Sequence, residues 1–236
     1  MKSHNFISTV PLDFELGTFL TVAIDDDHEL LSQIDKKSTP ILFFAGKENS
    51  QSMWHEDFFA QVVEKFVKAA HVLKERGMKR AVIAVHDDGL LMRILSPRFS
   101  DWSIEKRMEI VLEIFLKLSA IFEDVWVLLS VEEMIPGGMD AYDGIKIARA
   151  LEKLGLKTLI VTSGTKDFLP LYQRKITKKK ISQEKDFNSH EPSLSSALWV
   201  LQSCTVKVWA YCDLDDEKNA LEIACNIGLV GIIRRS

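Results

Sequence analysis

AVIAVHDDGLLMRILSP, residues 81–97, begins as an unbroken run of small and β-branched apolar residues. It then passes through His86, Asp87, Asp88 and Gly89 and resumes as an apolar helical pattern that stops before Pro97. A short continuous apolar run bounded by polar and glycine residues is the pattern of a strand covered on both faces. The stretch therefore predicts a buried parallel strand that opens, at its C-terminal end, into a loop carrying a histidine and two adjacent aspartates. No catalytic pairing is evident within the loop itself.

Similar runs recur along the chain. They are NFISTVPL (5–12), TFLTVAID (18–25), PILFFAG (40–46), RAVIAVH (80–86), VWVLLS (125–130), TLIVTSG (158–164), TVKVWAY (205–211) and GLVGIIR (228–234). Between them lie helical stripes: Val63, Phe66, Val67, Ala70 and Leu73; then Met108, Val111, Leu112, Phe115, Leu118 and Phe122; then Ile145, Ala148, Leu151 and Leu154. Gly77 and Gly155 follow two of these stripes, where a helix C-terminal cap belongs. Alternating strands and helices with eight strand candidates predict a single-domain (β/α)8 TIM barrel over residues 1–236, with an open doubly wound sheet as the alternative.

Two outer helices are missing from that pattern. Five residues, 13–17, separate the first two strand candidates, too few for a helical crossover, and the last candidate ends two residues before the sequence does. The expectation is a shortened barrel lacking its first and last outer helices. Its neighbouring apolar strands would then be left for a second copy of the chain or a partner protein to cover.

Bulk properties narrow the function classes. With 236 residues, 47% of them hydrophobic, and a net charge of −4, the chain has no basic surplus to draw it to nucleic acid or an anionic membrane. No apolar run reaches membrane-span length and the N-terminal residues lack a signal-peptide core, so a cytoplasmic location is expected. Cys204, Cys212 and Cys225 have no metal-cluster spacing, iron–sulfur included, and are read as small core residues. Residues 166–192, with RKITKKKISQEKDFNSHEP, are the least core-like part and predict a long basic loop after the sixth strand. His28, His55, His71 and His190 fall in helices or loops and show no nucleophile nearby.

FVKAAHVLKERGMKRAVIAVHDDGLLMRILSP, from Phe66 to Pro97, resembles without a gap the helix, fourth strand and active-site loop of the old yellow enzyme family of NADH:flavin oxidoreductases. Its end is similar to that family's LLxxFLSP run. SIEKRMEI (103–110) is similar to the family's SLENRxRF. LLSVEEMIPGGMDAYDGIKIARALEKLGLKTLIVTSG (128–164) follows its fifth strand, Gly-Gly turn, helix and sixth strand. Weaker echoes lie at NFISTVPL, ILFFAGK and LVGIIRR. The resemblance implies a TIM barrel, an FMN cofactor and hydride transfer from a nicotinamide to an acceptor.

Position by position, the implied chemistry is largely replaced. The family's paired donors at the end of the fourth strand align with Ala84 and Asp87, with His86 a possible substitute close by. An alanine donates nothing, and an ionised aspartate repels a developing oxyanion. Flavin-ring contacts align with Ile41, Phe44 and Leu128, and the phosphate-binding Gly-Gly turn with Cys212 and Asp213. The cofactor contacts that remain as candidates are Pro11, Arg234, Ser163 and Gly164, and Ser163, Gly164 and Lys166 after the sixth strand could bind a small anion.

Three readings follow in order. The first is a degenerate member of the family with a binding or assembly role. The second is an FMN-dependent ene-reductase with altered contacts. The third is a cation-dependent barrel enzyme using acidic mouth loops, whose metal ligands by type would be His86, Asp87 and Asp213, although no spacing calls for a metal.

Overall fold

The computed structural model describes residues 2–8, 19–24, 31, 34–35, 37–46, 56–86, 89–164, 192–212 and 217–234. Their strands are β1 (Lys2–Ser8), β2 (Phe19–Ala23), β3 (Thr39–Phe43), β4 (Arg80–Val85), β5 (Asp124–Ser130), β6 (Thr158–Thr162), β7 (Lys207–Cys212) and β8 (Gly231–Arg234). The helices are α1 (Glu56–Glu75), α2 (Leu90–Leu95), α3 (Ile104–Ser119), α4 (Ala141–Lys153), α5 (Pro192–Ser203) and α6 (Glu217–Ile227). The strands close into a barrel in sequence order. From β2 to β8 every neighbouring pair is parallel. This is the shortened α/β barrel expected from the sequence.

The first strand departs from that expectation. β1 lies at residues 2–8 rather than 5–12 and runs antiparallel to both neighbours, pairing His4 with Phe19 of β2 and Ser8 with Gly231 of β8. A parallel neighbour needs a crossover of a dozen or so residues, whereas an antiparallel one can be joined directly. Residues 9–18 alone connect β1 to β2. The short spacing read as a lost helix is the mark of a strand that reverses direction.

Each parallel strand is apolar on both faces because each face meets a different core. Phe19, Ile41, Val82, Ala84, Trp126, Leu128, Ile160, Trp209, Tyr211 and Ile233 point inward and pack as one cluster in the barrel interior. Their alternates join the helices in the larger outer cluster. Trp126 and Trp209 stack with ring centroids 6.1 Å apart, and Phe19 lies 5.8 Å from Trp126. At the end opposite the strand C-termini, the Arg80 guanidinium covers the Trp126 ring at 4.7 Å. Arg80 Nε and Trp126 Nε1 each donate to Asp124 Oδ2 at 2.8 Å. Outward-facing Val22 of β2 and Ile232 of β8 are also fully buried. The bare apolar seam expected beside β1 therefore does not extend to these two residues.

Helix boundaries follow their sequence signals. Ser103 caps α3 by accepting from Lys106 N, and Asp140 caps α4 by accepting from Asp143 N at 2.9 Å, the role expected of an aspartate there. Gly77 and Gly155 close their helices with φ of +84° and +99°.

The motifs that carry the family resemblance are tied to one another rather than aimed at a ligand. Arg107 of SIEKRMEI donates to Leu95 O of LLMRILSP and, through Nε, to Trp102 O at 2.9 Å; its Nη2 faces Asp143 at 3.6 Å. Burial lowers the pKa of Arg107, while Asp143, Glu133 and Glu105 raise it. Glu133 of LSVEEMIPGG is buried, accepts from Met139 N at 2.6 Å and faces Arg98 at 3.6 Å. Together these contacts lock the connections after β4 and β5 to the starts of α3 and α4.

Candidate ligand site at the barrel mouth

The C-terminal ends of β2 to β8 define one mouth, the end at which barrels of this kind place their sites. β4 delivers His86 to it. His86 follows Ala84 by two residues, so strand alternation keeps both on the inner side. The imidazole packs between Phe43, at 5.7 Å, and Tyr211, at 5.8 Å, and is nearly buried. The apolar surface below it continues through Ala84, Leu128 and Ile41 to the two tryptophans.

The other predicted positions separate. Phe44 turns away from the mouth into the outer layer, 6.5 Å from Phe66. Arg234 ends β8 opposite Asn5 of β1, and its side chain lies outside the described residues. Pro11, Asp87, Lys166, Asp213 and the basic run at 174–180 also lie outside them. Among the described residues no group of three metal-ligating side chains occurs. Cys204 is buried, and burial pushes its thiol up to about 11. Cys225 is exposed, against the expectation of a core residue; it sits on the solvent side of α6. A cavity of about 140 Å³ between the C-terminal ends of α3 and α4, lined by Phe115, Phe122 and Lys157, lies at the opposite end of the barrel from the mouth.

Ser163 and Gly164, by contrast, belong to an ordered polar corner built by β5, β6 and α5. Ser163 Oγ donates to Ser196 Oγ at 2.5 Å, and Ser196 Oγ donates to Glu132 Oε1 at 3.1 Å. Gly164 N donates to Glu132 O at 2.9 Å, and its φ of +78° favours a residue without Cβ. Ser130 Oγ bridges the carbonyls of Glu132 and Gly164 at 3.1 and 3.2 Å. Ser196 is fully buried, whereas Ser163 and Glu132 keep partial access to solvent. Burial raises the Glu132 pKa, and Asp140 adds to the rise; the Ser196 hydrogen bond opposes it.

The sequence offers Glu132 only as part of an acidic run, VEE at 131–133, at a strand end, and does not mark Ser196. Ser163 and Ser196 are 33 residues apart and Glu132 and Ser196 are 64 apart, so no local spacing joins them. The usable signal is topological: each strand and helix unit returns the chain to the mouth, bringing together polar residues roughly one and two units apart.

Glu132 gives a pH prediction. Its folded-state pKa lies above the unfolded one, so between the two values the folded protein holds more protons. The stability it contributes is full below the unfolded value and is lost as pH rises through the folded value. Asp143 shifts in the same direction, again chiefly through burial, so the wild type alone does not isolate Glu132. The melting temperature of wild type minus that of Glu132→Gln should decline as pH rises across this window; a difference independent of pH would refute the assignment.

The fold and this mouth define a closed α/β barrel with an aromatic interior and a polar corner at the strand C-termini. No protein-family model matches the chain, and neither does any curated protein. Solved structures do match. Morphinone reductase in complex with tetrahydroNAD is 16% identical, with a TM-score of 0.55 over 75% of this chain and 45% of that one. The old yellow enzyme homologue from Zymomonas mobilis is 16% identical, with a TM-score of 0.52 over 72% of this chain and 47% of that one. A 2-naphthoyl-CoA reductase complexed with 2-naphthoyl-CoA is 15% identical, with a TM-score of 0.57 over 74% of this chain and 26% of that one. The chain thus spans between about a quarter and a half of the length of these structures, and the likeness is one of fold.

The described residues do not fit FMN in the pose implied by the resemblance. Ile41 and Leu128 offer hydrocarbon where the resemblance places flavin-ring contacts, Ala84 offers no hydrogen bond where it places a donor, and all three are packed against other side chains of the barrel interior. The Gly164 N–H and the Ser163 hydroxyl, the donors expected for a phosphate, are already engaged with Glu132 O and Ser196. The adjacent Glu132 carboxylate would also repel a phosphate.

Proposed function

We propose that this chain is a barrel of the NADH:flavin oxidoreductase type in which flavin chemistry has given way to a binding or assembly role. The observation that carries the reading is the packing of Ile41, Ala84 and Leu128 with Trp126, Trp209 and Tyr211 in one dry cluster beneath His86. A flavin ring needs polar partners for its heteroatoms, and burying those heteroatoms against hydrocarbon leaves them unsatisfied. Without the flavin, hydride transfer has no carrier, because no protein side chain accepts and returns a hydride.

Titration with FMN tests this directly. The expected result is a colourless purified protein whose melting temperature is unchanged by FMN, whereas ligand binding to the folded state at about 100 times Kd would add roughly 2.7 kcal/mol. A yellow protein with near-equimolar flavin would establish the alternative, an FMN-dependent reductase with altered contacts. For the assembly role, the outer side of β1, the strand antiparallel to both of its neighbours, is proposed to take a second copy of the chain or a partner protein. A monomeric mass by light scattering at micromolar concentration would remove the second copy.

A further inference from the structure

The helices α3 and α4 are tied together at one end and enclose a cavity at the other. Near the mouth, Lys146 Nζ reaches Glu105 Oε1 at 3.1 Å and Arg107 faces Asp143 at 3.6 Å. Met108, Leu112 and Leu116 follow Glu105 at three- and four-residue steps along α3, so they lie on the side that faces α4. Ala150 and Leu154 follow Lys146 at four-residue steps and face α3 in the same way. At the far end lies the cavity of about 140 Å³, with Phe115, Ser119 and Gly155 in its wall. The two helices therefore border an apolar groove. Leu116 is 49% exposed and Leu154 37%, and Tyr142, 67% exposed, stands at the upper end with Lys146 Nζ 4.8 Å over its ring. These are three of the four large hydrophobic residues exposed among the described ones, so the exposure is gathered in one place rather than scattered.

A second, independent observation is the charge of the rims. On the α3 side stand Glu109 and Glu113, continued beyond the helix by Glu123; on the α4 side stand Lys146 and Lys153, continued by Lys157. Lys106 holds Glu109 at 2.6 Å and Glu123 faces Lys79 at 3.8 Å, which leaves Glu113 and Lys153 as the charges best placed to meet another surface. Lys117, the exception on the acidic side, lies a further turn around α3, away from the groove.

We propose that this groove is the interface of a homodimer, in which a second copy of the chain docks about a two-fold axis running along the groove. Such an axis exchanges the rims, so the acidic α3 side of each copy meets the basic α4 side of the other and Glu113 stands opposite the second copy's Lys153. An axis across the groove would set acidic rim on acidic rim. The same operation lays Leu116 of each copy over Leu154 and the cavity of the other, a cavity close to the roughly 150 Å³ that takes up one benzene-sized apolar group. This names a partner and a surface for the assembly role proposed above, and rests on that role. It requires neither β1 nor the state of the barrel interior.

The test is light scattering of the full chain at micromolar concentration, followed by sedimentation equilibrium of variants. Wild type is expected at twice the mass of the chain. Leu116→Glu should raise the dimer dissociation constant at least about 100-fold, because two-fold symmetry counts the substitution twice. Its side chain is half-exposed, so the melting temperature of the isolated monomer should stay near that of wild type at low concentration. Glu113→Lys should weaken the dimer about 10-fold, and adding Lys153→Glu should restore it, a recovery that a merely structural role would not produce. A monomeric wild type would overturn the proposal and leave the groove to a different protein. A dimer unaffected by Leu116→Glu, or a double charge reversal that recovers nothing, would also overturn it. The flavin question is read separately from absorbance. A yellow dimer that Leu116→Glu dissociates would support this inference while ending the flavin-free reading, and a colourless dimer that Leu116→Glu leaves intact would overturn this inference alone.

Discussion

Gly144→Ala is expected to destabilise the barrel by about 3 kcal/mol or more, at the upper end of the range for overpacking a close contact. A Cβ at Gly144 would stand 2.1 Å from Val131 O and 2.7 Å from both the carbonyl carbon and Cα of Val131. These are backbone atoms at the end of β5, so no side-chain rotation relieves the contact. Moving α4 outward would in turn stretch the pairing of Asp143 with Arg107. Helix propensity pulls the other way, since alanine is favoured over glycine by about 1 kcal/mol in a helix interior. The sign of the measured change is therefore diagnostic. Urea denaturation should show the midpoint falling sharply, and a variant as stable as wild type would show that α4 does not seat on Val131.

Arg107→Met should cost about 3–5 kcal/mol, the range for removing one member of a buried charged network. The methionine fills similar volume, so the loss reports hydrogen bonds and charge rather than a cavity. It leaves Leu95 O and Trp102 O without the donors they now have, and Asp143 without its cation. Arg107→Lys should recover little, because one ammonium on a flexible stem does not reproduce a planar fork that serves two carbonyls and a carboxylate. A double-mutant cycle with Asp143→Asn would show how much of the loss passes through that pair, and an additive cycle would assign it to the two carbonyls instead. This locates the physical meaning of the family resemblance. The LLMRILSP, SIEKRMEI and VEEMIPGG segments form a mutually bonded frame around the mouth.

The barrel was legible because its strands and helices announce themselves locally. Unbroken apolar runs and 3.6-residue stripes depend on which face each residue buries, and in this fold both strand faces are dry. The antiparallel β1 was misread because residues 5–12 carry the same apolar composition in either direction. Only the length of the link to β2 distinguished the two, and it was assigned to a missing helix. His86 stands one residue from Asp87 and two from Ala84, and the two-residue step keeps it on the inner face with Ala84.

Two matters were legible in the sequence alone: a closed barrel of repeated strand and helix units, and the glycine caps that end two of its helices at Gly77 and Gly155. Each depends on residue type at a position or on near neighbours in the chain. The tertiary structure decided which donors at the mouth remain available. Ser163 and Gly164 look, as a sequence, like an anion cradle, and become the outer end of an inward-directed relay only because Glu132 and Ser196 arrive from other units. A hydrogen bond has a direction as well as a partner, and that direction is set by the group at the far end of the chain of contacts.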